Sequence, residues 1–139
     1  MRLFVVVLGA GWLAAAPAVA QDAAAGEKIF VQCKACHQIG ESAKNAVGPV
    51  LNGVIGRKAG SVEGFNYSPA NKNSGLTWDE ATFRDYIKDP RAKVPGTKMA
   101  FGGVKDPKQV DDLLAYLKQF DATGKKKAAL ENAGRLAKM

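Results

Sequence analysis

The sequence predicts an all-α domain with long loops, on three observations. Residues 107–118 place Val110, Leu113, Leu114 and Leu117 at the i, i+3, i+4, i+7 spacing of a buried helix face. After residue 20 no run of alternating apolar residues occurs, and no hairpin signal joins two such runs. Two stretches, 38–64 and 91–105, lose periodicity and are dense in glycine and other loop-forming residues. With 139 residues the chain is long enough for one such domain.

Residues 1–20 read as an export signal. Arg2 gives a short positive start, Leu3 to Ala16 carries no charge, and Ala18-Val19-Ala20 is a small-x-small cleavage site. An uncleaved anchor is the competing reading, since Leu3 to Ala20 is about the length that spans a bilayer. Gly9, Gly11 and Pro17 dilute that stretch. Export places the chain in the periplasm, an oxidising compartment. The expected organisation is a signal peptide over 1–20, a domain over 21–124 and a basic tail over 125–139.

The first helix of the domain is expected to be capped by Asp22 and to run to about Gln32, with Ile29, Phe30 and Cys33 on one side. Residues 38–64 then form a loop containing Gly48-Pro49 and Gly56-Arg57; so long a loop in a compact domain implies that it wraps something. Ser68-Pro69 opens a short helical stretch that Gly75 closes. Thr77-Trp78-Asp79-Glu80 reads as a capping box, Phe83, Tyr86 and Ile87 as the apolar stripe that follows, and Pro90 as the stop. Residues 91–105 are expected to be irregular. Asp106 caps the last helix, Pro107 fills its first turn, and its apolar face should pack on the first helix. Beyond Phe120 the chain has high helix propensity but only Leu130 and Leu136 as large apolar residues.

Chemistry enters with Cys33-Lys34-Ala35-Cys36-His37. This Cys-x-x-Cys-His pattern is the attachment signature of haem c: two thiols three residues apart reach the two vinyl groups on one porphyrin edge, and His37 then falls beneath the iron. A thioredoxin-like redox pair would need a βαβ context that is missing. A disulfide closing so small a loop stabilises little. Zinc would lack a ligand, because the chain has 2 Cys and 1 His. The second axial ligand follows by elimination. No other histidine exists, and after residue 20 the only methionines are Met99, in a Pro/Gly loop, and the terminal Met139.

At this point the chain resembles class I cytochrome c, and specifically the bacterial cytochrome c2 group with its mitochondrial relatives. The match runs from about Ala25 to Phe120. Besides the haem-binding pentapeptide it is carried by Gly48-Pro49, Gly56-Arg57, Gly64-Phe65-Asn66-Tyr67, Asn71-Lys72-Asn73, Thr77-Trp78, Tyr86 and Pro95-Gly96-Thr97-Lys98-Met99-Ala100-Phe101. The resemblance implies that the Pro49 carbonyl holds the other ring nitrogen of His37. It implies that Tyr67 and Trp78 donate to a haem propionate with Arg57 nearby. Asn71, Tyr86 and Thr97 would form a hydrogen-bonded group with a water beside Met99, and Phe101 would lie against the haem. The extension past the last helix departs from the family.

The expected function is therefore a monomeric electron carrier with one haem c and no enzymatic activity. One nitrogen and one thioether ligand in a dry pocket favour Fe(II), so a positive reduction potential is expected. The formal charge of +7, one unit less once Arg2 leaves, suits acidic docking surfaces on membrane redox complexes. Lys34, Lys44, Lys93 and Lys98 would steer that encounter. The resemblance implies a cytochrome bc1 complex as donor and a photosynthetic reaction centre or terminal oxidase as acceptor. Nucleic acid is disfavoured, since the lysines are scattered rather than gathered on one recognition helix. The alternative is a haem peroxidase or gas sensor in which Met99 is displaced.

Overall fold

A computed structural model describes residues 21–127; the expected signal segment and residues 128–139 of the expected tail lie outside it. The described chain holds five α-helices, α1 (Ala23–Phe30), α2 (Pro69–Lys72), α3 (Glu80–Lys88), α4 (Pro90–Lys93) and α5 (Pro107–Lys118), with a 3₁₀ turn over Val31–Cys33. Strands are absent among the described residues, where only two isolated bridges form, Lys58 with Thr77 and Phe120 with Lys126.

The core is the seam between α1 and α5. Phe30, Val110, Leu113 and Leu114 are almost wholly buried there, and each such side chain contributes about 1.5–3 kcal/mol of burial. The helices touch at backbone distance because Gly26 has no side chain: a Cβ there would lie 1.9 Å from the carbonyl oxygen of Asp112. Asp22 caps α1 by accepting from the amides of Ala24 and Ala25. Its own amide donates to the Asp112 carboxylate at 2.9 Å, and Lys108 pairs with the same oxygen. The seam is thus fixed in register as well as packed.

Two local expectations are corrected. Thr77 does not cap α3. Asp79 does, its carboxylate accepting from the Thr82 amide at 2.8 Å. Thr77 and Trp78 are instead drawn into pairing with the Lys58 region, where Trp78 N donates to Arg57 O at 2.8 Å. A carboxylate closer to Phe83 satisfies the first-turn amides, and the capping-box pattern carries no information about that cross-chain partner. The second correction is α4, a single turn within a segment expected to be irregular. Asp89 ends α3 and caps α4 through the Ala92 amide at 3.1 Å, with Pro90 in the first turn.

Candidate functional site

The backbone turn after α1 presents the motif. The amides of Cys36 and His37 both donate to Cys33 O, at 3.1 and 2.9 Å, which brings Cys33, Cys36 and His37 to one wall of a cavity of about 360 Å³. Both cysteines are unbridged. Burial, with the neighbouring Cys36, pushes the Cys33 thiol up to about 11. A dithiol redox pair needs the opposite, a nucleophile of lowered pKa, so that reading loses its support.

His37 is held from behind. Its Nδ1 lies 2.7 Å from Pro49 O, so Nδ1 carries the proton and Nε2 keeps its lone pair for a metal. Burial lowers the ring's pKa, opposed by the Pro49 bond and reinforced by Arg57; the imidazole is neutral at pH 7, as a ligand must be. Gly48 makes this possible, since a Cβ there would sit 2.4 Å from the ring's Cε1. The sequence shows Gly48 beside Pro49 but not the ring stacked on it.

Met99 lines the same cavity. Tyr86 Oη donates to its Sδ at 3.1 Å, and its amide donates to Thr97 Oγ1 at 3.2 Å. Burial raises the Tyr86 phenol, with Thr97 as a hydrogen-bond partner, so the phenol remains a donor. Tyr86 comes from α3 and packs against Trp78 with the rings tilted by 51° and 4.6 Å between centroids.

Arg57, Tyr67, Asn71, Trp78, Thr97 and Phe101 all face the cavity. Tyr67 Oη also accepts from Val62 N at 3.1 Å, leaving its own proton for another partner. Among the described residues Arg57 Nε and Asn71 Oδ1 are buried with no hydrogen-bond partner, and an unpaired buried polar group costs about 1–3 kcal/mol. The residues fit a flat apolar group with an acidic edge: a mainly apolar wall, two thiols, a neutral imidazole, a thioether, and an unpaired guanidinium N–H where a carboxylate would accept.

The lysines separate. Lys98 lines the cavity, whereas Lys34, Lys44 and Lys93 do not. Lys93 lies 3.4 Å from the Asp85 carboxylate. Lys34 borders a second, shallower hollow behind His37. Val47, 76 % exposed, is an apolar rim residue of the main cavity that hydropathy patterning does not single out.

The family model for cytochrome c matches residues 23–121. A cytochrome c2 from Blastochloris viridis is 66 % identical over 112 residues, 81 % of this chain and 88 % of that one. A cytochrome c-550 from Nitrobacter winogradskyi is 63 % identical over 107 residues, 77 % of this chain and 98 % of its own. Among solved structures, cytochrome c2 from Rhodospirillum centenum superposes with a TM-score of 0.69 at 41 % identity, covering 72 % of this chain and 98 % of that one.

Proposed function

The chain belongs to the cytochrome c family, a single-haem electron carrier and not an enzyme, and from that premise we propose how it holds its haem c and where it works. Cys33 and Cys36 would carry the thioether links, and His37 and Met99 would ligate the iron. When bound, the haem supplies a one-electron Fe(III)/Fe(II) couple. The protein residues do the rest. Pro49 keeps the proton on His37 Nδ1 and raises the basicity of Nε2. Tyr86 and Thr97 aim the Met99 thioether, which as a soft ligand favours Fe(II). Arg57 offsets propionate charge, and the apolar wall excludes water. With His37 and Met99 both holding the iron, no position would be left for a substrate.

The observation that carries this reading is that His37 and Met99 line one cavity, each oriented by its own hydrogen bond. The protein is proposed to be periplasmic, with residues 1–20 removed, 21–124 as the carrier domain and 125–139 as an appended basic segment. No helix among the described residues is long and apolar enough to cross a membrane. Docking is proposed at the cavity rim, where Lys98 and Val47 offer a charge and an apolar contact to an acidic surface. The cytochrome bc1 complex is the donor, and a photosynthetic reaction centre or terminal oxidase the acceptor.

An optical redox titration of protein matured in a haem-attaching periplasm tests this. A reversible one-electron couple at positive potential, with the weak far-red band of Met–Fe(III) coordination, is expected. A low potential without that band rejects Met99 ligation and favours a haem peroxidase or gas sensor.

A further inference from the structure

The segment after α5 turns back and is tied down. Asp121 N donates to Lys125 O at 3.0 Å, Lys127 N donates to Gln119 O at 2.7 Å, and Lys126 Nζ lies 5.6 Å from the centre of the Phe120 ring. Asp121 Oδ1 accepts from the amides of Thr123 and Lys125, at 2.8 and 3.1 Å. Lys125 to Lys127, at the start of the appended segment, are therefore tied back to the end of α5.

This turn lies across the loop behind His37. Gly124, at φ +83°, packs so closely that a Cβ would meet the Gly40 carbonyl at 2.2 Å and Asn52 Nδ2 at 2.7 Å. Ala122 lies against Gly53 in the same way, 3.0 Å from where its Cβ would be. Beneath this contact Asn52 binds both backbone groups of Gly40, accepting from N at 2.8 Å and donating to O at 2.9 Å. Leu51 N bonds to Gln38 O at 3.0 Å. Two residues before Leu51 is Pro49, whose carbonyl holds His37.

We propose that residues 121–127 are a strap which, through Gly124 and Asn52, presses the 38–53 loop into place and so sets the strength of the Pro49–His37 hydrogen bond. Asn52 and Gly124 are positioning residues for the axial histidine. The inference rests on His37 being that ligand. A firm Pro49 bond makes the imidazole a better donor and favours Fe(III); releasing the strap weakens the bond and shifts the equilibrium toward Fe(II).

The test compares four holoproteins: the full chain, a chain ended after Lys127, Gly124→Ala and Asn52→Ala. The chain ended after Lys127 keeps the strap and should match the full chain. Gly124→Ala forces the strap off Gly40 and Asn52, and Asn52→Ala removes the two hydrogen bonds that hold Gly40 to the rest of the loop beneath the strap. Each should favour Fe(II) about threefold, about 28 mV at 59 mV per tenfold for one electron. The far-red Met band should persist and the His37 Nδ1 proton should exchange faster. Unchanged potentials in both substituted proteins overturn the strap. Loss of the Met band alongside the shift also overturns it, because the effect is then a general loosening. A full chain lacking the far-red band rejects the axial assignment instead, and is recognised before any variant is compared.

Discussion

His37 and Met99 reach one cavity from regions built in different ways. His37 follows α1 by the 3₁₀ turn and the turn closed on Cys33 O, and α1 is pressed on α5 with Gly26 against the Asp112 backbone and Phe30 sealed between the helices. Met99 sits between α4 and α5 in a chain with no helix of its own, directed by the Tyr86 and Thr97 hydroxyls. A packed helix seam and the Pro49 hydrogen bond position His37, whereas the Tyr86 and Thr97 hydrogen bonds position Met99. A buried seam resists through close packing, while a hydrogen bond contributes a net of about 0.5–1.5 kcal/mol. The methionine side is the one expected to yield first.

Gly26→Ala should break the comparison most severely. The new Cβ would have to displace the Asp112 backbone, and overpacking costs about 1–3 kcal/mol or more. The expected result is a large loss of stability in denaturant unfolding and a poor yield of holoprotein. If Gly26→Ala is as stable as the parent, the seam does not anchor the histidine side.

Met99→Ala should be milder for the fold and decisive for the site. The half-buried side chain leaves a gap costing about 2 kcal/mol, the far-red band disappears, and an added ligand such as cyanide binds the ferric protein readily. A retained band would mean that another group ligates.

Asp112→Asn sharpens the account of the seam through pH. Lys108 first, then the Asp22 amide, hold the Asp112 carboxyl below its usual value. A depressed carboxylate stabilises the fold at pH above about 4 and loses that contribution as pH falls through its folded pKa. The melting temperature of the parent should exceed that of Asp112→Asn at pH 7, and the gap should narrow as pH falls below about 4 and through the folded pKa of Asp112. A difference independent of pH would place the effect in packing rather than charge.

The smallest effects belong to the rim. Lys98→Glu should slow association with an acidic redox partner several-fold at low salt and hardly at all at high salt. Lys93→Glu should do less to docking, because Asp85 already offsets its charge. Equal effects from both would mean that overall charge, not the cavity rim, guides the encounter.

Much of the site was legible because its parts are close in the chain. Cys33, Cys36 and His37 lie within one turn, so their chemistry follows from covalent spacing. Met99 followed by exhaustion of alternatives, not by any local signal. Asp112 gave no such signal: in the periodic pattern of α5 it is only a polar residue beside Leu113, and its burial depends on where α1 lies. Gly124 looked like the end of a domain and proved to be packed on Gly40. Lys34, Lys44, Lys93 and Lys98 were equivalent as charges and became distinct once their neighbours were known.

The amino-acid sequence alone determined four of the five helices, their order and the thiol–imidazole motif, because periodicity, proline and cap chemistry act over a few residues. Tertiary structure decided that Asp79 and not Thr77 caps α3, that Gly26 and Gly48 must lack side chains, and that residues 121–127 lie across the histidine loop. Each of those outcomes depends on atoms brought near from distant parts of the chain, and steric exclusion and hydrogen bonding act only at contact.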